Sequence, residues 1–99
     1  MQVVLTSEAR DDLERIGDYI AQDNPMRARS FVNELIEKAR SIGDMPRAFP
    51  LVPRYAHLGV RRRVHGNYLI FYCIKENNIT IIHILQGARD TEALLFPEE

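Results

Sequence analysis

The sequence predicts an α+β fold of order β-α-α-β-β-β, in which a helical hairpin packs on one face of an antiparallel sheet. A short apolar run at residues 3–5 is the first predicted strand. Two segments with helical spacing of apolar residues follow it, and three β segments separated by turn residues occupy the second half of the chain. The first strand must pair with the later strands non-locally, at a position that the pattern leaves open.

Both predicted helices have residues that favour helix ends. Thr6 or Ser7 caps the first helix, and Asn24 caps the second, with Pro25 at its first position and Gly43 as its predicted stop. The apolar stripe of the first helix consists of Leu13, Ile16, Tyr19 and Ile20. That of the second consists of Ala28, Phe31, Val32, Leu35, Ala39 and Ile42. Because the link between them is short, the helices form an antiparallel hairpin.

Three consecutive strands are predicted at about residues 60–65, 67–75 and 78–86. Gly66-Asn67 and Asn77-Asn78 are turn residues that tolerate positive φ, so tight antiparallel hairpins connect the strands. Prolines make the segment before them irregular, with core anchors predicted at Phe49, Leu51 and Val52. The last ten or so residues are predicted as a short helix or an extended tail.

Length and composition predict a single globular domain over residues 1–99, with 45% apolar and 27% charged residues. No run approaches the roughly 18 apolar residues that span a bilayer. No signal peptide is visible, so we expect a cytoplasmic protein. Cys73, the only cysteine, cannot form an internal disulfide and is expected to be a buried, unreactive thiol.

The charges are distributed unevenly along the chain, although the net charge is only −1. Residues 1–44 carry nine acidic and six basic residues, residues 45–75 carry six basic and no acidic residues, and residues 76–99 carry five acidic and one basic residue. The basic segment indicates an anionic or acidic partner. The absence of a basic total argues against bulk binding of RNA or DNA.

Strand alternation places Arg61, Arg63 and His65 on one face of the second strand. Guanidinium groups projecting together can bind phosphates or carboxylates in a bidentate geometry. The alternative is a solvated edge strand whose charges only prevent aggregation between sheets. The sequence does not decide between these two interpretations.

The sequence indicates no metal site, no cofactor and no catalytic residue. His57, His65 and His83 match no zinc-ligand spacing, and we expect His83 to be a hydrogen-bonded, partly buried imidazole. An RNase-like site would need a carboxylate beside the arginines, and the basic segment has none. Tyr68 and Tyr72 are predicted to be packing residues rather than base-stacking platforms.

Three segments, VVLTSEARDDLERIGDYIAQDNP, GVRRRVHGNYLIFYCI and ILQGARD, carry a resemblance to a known family. Over nearly the whole chain the sequence resembles the ParE branch of the RelE/ParE superfamily, the toxins of bacterial type II toxin–antitoxin modules. The resemblance implies the same β-α-α-β-β-β order. It also implies growth arrest or plasmid stabilisation through inhibition of DNA gyrase, with RelE-like members instead cleaving mRNA on the ribosome.

The end of the last strand distinguishes the two branches. Arg89 falls about where the nuclease members carry a catalytic His, and an arginine cannot act as a general acid or base. The resemblance therefore favours a gyrase inhibitor that acts by protein contact. A RelE-type mRNA endonuclease and a non-toxic antitoxin-binding module remain alternatives.

The site residues expected from these considerations form two groups. The first is a basic surface that binds gyrase or a gyrase–DNA complex, made of Arg61, Arg63 and Arg89. The second contacts a cognate, ParD-like antitoxin and is made of Ile16, Tyr19, Ile20 and Arg62. Core packing is an equally good interpretation of the three apolar members of the second group.

Overall fold

A computed structural model describes residues 1–87 and 91–96 of the chain. Its strands are β1 (Gln2–Leu5), β2 (Arg61–His65), β3 (Tyr68–Lys75) and β4 (Asn78–Gln86), and its helices are α1 (Ser7–Ala21) and α2 (Pro25–Ser41). Short 3-10 turns cover Ile42–Asp44, Pro53–Leu58 and Thr91–Leu94. The predicted order and the α+β class are therefore confirmed.

The helix starts follow the predicted capping chemistry. The Thr6 hydroxyl oxygen accepts a hydrogen bond from the Ala9 N–H at 3.1 Å, and the Asn24 side chain accepts one from the Arg27 N–H at 3.0 Å. Pro25 is the first residue of α2, where its missing N–H costs nothing. Both helices thus begin within one residue of the predicted positions.

α2 ends just before Gly43, as predicted, but Gly43 does not have the positive φ of a left-handed glycine stop. α2 ends at Ser41 and continues as a 3-10 turn, and Gly43 lies inside that turn. Its role is a close approach between backbones, because a Cβ atom at Gly43 would clash with the Met1 carbonyl oxygen.

The four strands form one sheet in the order β1-β4-β3-β2. β2, β3 and β4 are antiparallel, as expected, whereas β1 pairs parallel to β4, with Val3 opposite Ile79 and Leu5 opposite Ile81. The sheet is therefore mixed rather than fully antiparallel. β1 reaches β4 through the helices and two further strands, and no tight turn fixes their relative direction.

Two tight turns connect the hairpin strands. Gly66 has φ 59° in the first, and Glu76 and Asn77 have φ 52° and 67° in the second. The second turn therefore lies one residue earlier than predicted, and Asn78 already pairs with Lys75 as the first residue of β4. Two successive positive φ values match the twist of the flanking strands.

The sheet has a core on each face. The helical hairpin covers one face with Leu13, Ile16, Leu35 and Ala39 packed on Ile70, Tyr72, Ile79, Ile81 and Ile84. The other face is covered by Val52, Tyr55, Leu95 and Phe96, which pack on Phe71 and its neighbours. The end of the described chain thus forms a short 3-10 turn that contributes to the second core. Leu51, a predicted anchor, is exposed instead.

No helix in the described ranges is long and apolar enough to cross a membrane.

Candidate interaction surfaces

Arg61 and Arg63 lie on the helix-covered face of β2, where they hold the end of α2 and the loop after it. Arg63 Nη1 donates to the Lys38 carbonyl oxygen at 3.1 Å and to the Ser41 hydroxyl at 2.6 Å. Its guanidinium carbon lies 4.5 Å from the centroid of the Phe49 ring. Arg61 Nη1 donates to the Phe49 carbonyl oxygen at 2.7 Å. The carbonyls at a helix C-terminus carry partial negative charge, so the cationic Arg63 side chain is favourably placed at the end of α2.

Arg62 points to the opposite face of the sheet, as strand alternation requires. Its Nη1 lies 3.7 Å from a carboxylate oxygen of Glu92, a loose ion pair between partly exposed side chains. Val64, two residues further, is 61% exposed. The three arginines are therefore divided between two faces and do not form one surface.

A groove of about 230 Å³ lies between α1 and the end of β4. We call it the Tyr19 groove. It is lined by Asp12, Arg15, Ile16, Tyr19, Tyr68, Ile84, Leu85 and Gln86. Tyr19 is 68% exposed, a large fraction for an aromatic side chain. The groove is mainly apolar, with the exposed Arg15 beside it.

Beside this groove, the buried carboxylate of Asp12 accepts a hydrogen bond from the main chain of β4. Asp12 is 2% exposed, and its Oδ2 accepts hydrogen bonds from the Ile84 N–H at 2.9 Å and shares one with His83 Nδ1 at 2.7 Å. Its Oδ1 accepts from Arg15 Nη1 at 3.0 Å. The expectation of a hydrogen-bonded, partly buried His83 is confirmed.

The importance of Asp12 was missed in the sequence, although a signal was present. Asp12 lies three residues after Ala9 and four before Ile16, so helical spacing places it on the buried stripe of α1. An acid on an apolar stripe needs a polar partner inside the fold. β4 supplies that partner because β1 pairs only with its first half.

A second ionic cluster joins α2 to the β2–β3 hairpin. Arg27 and His65 both contact the Glu34 carboxylate, with His65 Nε2 at 3.2 Å. The hydrogen bond from Arg27, and then that from His65, lower the pKa of Glu34 below its ordinary value. The Phe31 ring packs on His65 and Tyr68, with centroids 5.7 and 5.3 Å apart.

The two tyrosines and the cysteine of β3 behave as packing residues. Tyr72 is fully buried and its hydroxyl donates to the Pro46 carbonyl oxygen at 2.7 Å. Burial raises the pKa of Tyr72, with Arg61 and Arg63 acting in the opposite direction. Burial also raises the pKa of Tyr68 and of the half-buried Cys73 thiol.

The structure brings together some of the predicted site residues. Ile16 and Tyr19 line one groove, while Ile20 packs partly buried against the helix-side core. Arg62 lies on β2, the edge strand on the opposite side of the sheet from β1. Arg89 lies outside the described residues. Within residues 1–87 and 91–96, no cluster of three or more His, Cys, Asp or Glu side chains is arranged to hold a metal ion.

A helical hairpin packed on a four-stranded mixed sheet places this small protein in the α+β class. Comparison with known proteins identifies its family. The family model of the ParE toxin of type II toxin–antitoxin systems, parDE, matches residues 3–91. The chain therefore belongs to the ParE toxin family and is a type II toxin by family.

A solved structure, described as the chromosomal ParDE TA system from P. aeruginosa, has the same fold. It superposes with a TM-score of 0.72 at 22% identity, covering 87% of this chain and 95% of that one. At this level of identity the similarity concerns the fold alone. No curated protein sequence matches the chain significantly.

Proposed function

We propose that this chain arrests growth by inhibiting DNA gyrase through protein contact, and that a ParD-like antitoxin neutralises it. The family match over residues 3–91 carries the proposal. The hydrogen bonding of Asp12 argues against a role for this carboxylate as the general base. Both its oxygens accept hydrogen bonds within the fold, and at 2% exposure it does not face a substrate.

A supercoiling assay with purified gyrase tests the target. We expect the toxin to inhibit supercoiling and, under conditions that trap cleaved DNA, to increase the cleaved gyrase–DNA complex. The same toxin preincubated with antitoxin is the control and should leave gyrase active. No effect at a large molar excess of folded toxin would reject gyrase as the target.

Arg61, Arg63 and Arg89 are the proposed gyrase-binding residues, and their test must separate binding from folding. Arg63 holds the end of α2 and Arg61 the loop after it, so the double variant Arg61→Glu/Arg63→Glu is compared with wild type by circular dichroism before any assay. The matched control is Arg29→Glu/Arg40→Glu on the exposed side of α2. Full inhibition by a folded double variant would exclude this pair, and Arg89→Glu tests the third position separately.

The antitoxin is proposed to contact Ile16, Tyr19, Ile20 and Arg62. Tyr19 is the sharpest position because its ring is exposed beside an apolar groove, the usual environment of an anchoring aromatic contact. Tyr19→Ala should weaken antitoxin binding by roughly 30-fold, about 2 kcal/mol, without loss of gyrase inhibition. Equal affinity of the variant and wild type would remove Tyr19 from this surface.

One observation favours the mRNA endonuclease as a second candidate. The Asp12 carboxylate holds the His83 ring in a fixed orientation at 2.7 Å, as carboxylates do for catalytic imidazoles. Cleavage of ribosome-bound mRNA that is lost in His83→Gln would support it. Antitoxin binding without growth arrest would indicate the non-toxic binding module instead.

A further inference from the structure

β1 lies at one edge of the sheet and carries no charged side chain. Its sequence is Gln-Val-Val-Leu, without proline or glycine, and β4 is its neighbour on one side. Edge strands are usually protected from further pairing by charges, prolines or bulges. β2, at the opposite edge, has such charges in its three arginines. Since β1 has only its short length as protection, its outer side is suited to pairing with another strand.

The outward main-chain groups of β1 belong to Val3 and Leu5. The Thr6 N–H donates to the Ile81 carbonyl oxygen at 3.1 Å, so Thr6 directs its N–H to β4. Alternate residues of a strand direct their main-chain groups to the same side, which turns Val4 to β4 and turns Val3 and Leu5 away from it. In the part of the chain that the structure describes, the outward groups of Val3 and Leu5 have no main-chain partner. We call these groups the β1 edge.

The side chains beside the β1 edge are apolar on both faces of the sheet. Val3 and Leu5 are partly buried and pack against the helix-side core. Val4 points to the other face and is 45% exposed. An uncharged strand offers no ionic contact to a charged partner, whereas a strand of similar sequence would cover Val4 with another apolar side chain. The β1 edge therefore fits an uncharged, apolar strand, and β1 of another molecule is such a strand.

We propose that the β1 edge pairs with the β1 edge of a second copy of this chain, antiparallel about a twofold axis that passes beside Val4. In this register Val3 of each copy lies opposite Leu5 of the other, so every outward N–H and C=O group gains a partner. Val4 faces Val4 across the axis as a non-hydrogen-bonded pair, which covers the exposed side chain. Two four-stranded sheets thus join into one continuous sheet.

The pairing goes beyond the proposed function, because it involves neither gyrase nor an antitoxin. The two β2 strands lie at the far ends of the joined sheet, so the proposed gyrase-binding arginines of β2 stay away from the contact. Only residues 3–5 of each strand exchange hydrogen bonds. An interface this small is expected to be weak, with monomer and dimer in equilibrium.

Sedimentation at protein concentrations of roughly 1–200 μM tests for the dimer. We expect the mass to rise with concentration from the 11.5 kDa of one chain toward twice that value. Val4→Lys places like charges opposite each other across the axis and should weaken association by about tenfold or more. Val64→Lys is the matched control, since it is the same change at an exposed valine of the opposite edge strand, and it should associate as wild type does.

A mixture of two charge variants separates the contact from any effect on folding. Val4→Lys and Val4→Glu should each be monomeric alone, whereas an equimolar mixture should form a heterodimer in which opposite charges face each other. Amide hydrogen exchange on the wild-type protein locates the pairing. The Leu5 amide should exchange rapidly at low protein concentration and become protected at high concentration, while the Val4 amide, directed to β4, should be protected at both.

The outcomes that overturn the proposal are distinct. A monomer at every concentration rejects it. A dimer that survives Val4→Lys, or that leaves the Leu5 amide unprotected, lies on another surface and rejects the β1 edge. A mixture of Val4→Lys and Val4→Glu that stays monomeric excludes the register about Val4, and loss of the dimer in Val64→Lys alone indicates pairing through β2 instead. Gyrase inhibition is measured separately, so failure here leaves the proposed function untouched.

Discussion

At the scale of single residues, the hydrogen-bond and ion-pair partners of a charged side chain decide its role in the fold. Asp12 and Asp11 are neighbours in the same turn of α1, yet Asp12 is buried with three hydrogen-bond partners and Asp11 is exposed. The same contrast applies to Arg62 and Arg63, which point to opposite faces of one strand. Residue type alone gives none of these roles, because they depend on which element packs opposite.

The Glu34 carboxylate gives a residue-scale prediction for pH dependence. Its pKa in the folded protein is lowered from 4.5, chiefly by the hydrogen bond from Arg27 and then by that from His65. A lowered folded pKa contributes stability that is present above pH 4.5 and is lost as pH falls through the folded-state value. In Glu34→Gln the acid-side decline of the melting temperature should be shallower. The comparison is with Glu37→Gln on the same helix, and an identical decline in both variants would contradict the prediction.

At the scale of elements, a side chain of one element often completes the hydrogen bonding of another. Asp12 of α1 accepts a hydrogen bond from the β4 edge beyond the end of β1, and Arg63 of β2 donates one to the Lys38 carbonyl oxygen in the last turn of α2. Both contacts provide hydrogen-bond partners for main-chain groups, the Ile84 N–H and the Lys38 carbonyl, that lie beyond the regular bonds of the β1–β4 ladder and of the helix. They add directional contacts to the apolar packing that holds the helical hairpin on the sheet.

Loss of the Asp12 carboxylate should destabilise the protein clearly. In Asp12→Ala the Ile84 N–H loses its buried acceptor, which should lower the free energy of unfolding by about 1–3 kcal/mol. Asp11→Ala, one residue away and exposed, should change it by less than about 0.5 kcal/mol. Urea denaturation of both variants measures the difference. Equal stability would show that the Ile84 N–H does not depend on Asp12.

Removal of the Arg63 donors should loosen the end of α2. Arg63→Met removes the hydrogen bonds to Lys38 and Ser41 together with the guanidinium contact over the Phe49 ring, so we expect a loss of about 1–2 kcal/mol. Arg62→Met, in the same strand on the opposite face, should cost less than about 1 kcal/mol. Hydrogen exchange should also show earlier opening of the last turn of α2 in Arg63→Met alone. A larger effect of Arg62→Met would contradict this assignment.

At the scale of the whole molecule, the fold depends on one non-local strand. β1 lies beside β4 at the edge of the sheet, and its start is held where the Met1 amino group donates to the Gly43 carbonyl oxygen at 2.9 Å. The close approach requires a residue without a side chain at position 43. This contact joins the start of the first strand to the 3-10 turn that follows the helical hairpin.

Substitution of Gly43 should therefore affect the whole fold. Gly43→Ala would place a methyl group in steric conflict with the Met1 carbonyl oxygen, so β1 must shift, and we expect a loss of about 1–3 kcal/mol. Gly87→Ala is the matched control, because its nearest contact would be an ordinary 3.4 Å to Leu69. Thermal unfolding compares the two variants. A Gly43→Ala protein as stable as Gly87→Ala would show that β1 adapts without cost.

The sequence by itself determined the elements and their order, because caps, turns and apolar periodicity act over a few residues. Thr6 and Asn24 start the helices, and Gly66 permits the first hairpin turn. The sequence also located the basic segment without acidic residues, at residues 45–75. Only the tertiary structure decided that β1 runs parallel to β4, that Asp12 reaches the β4 edge, and that Arg61 and Arg63 face the helices. Those outcomes depend on contacts between residues 12 or more positions apart and on the packing of whole elements, and no local pattern encodes them.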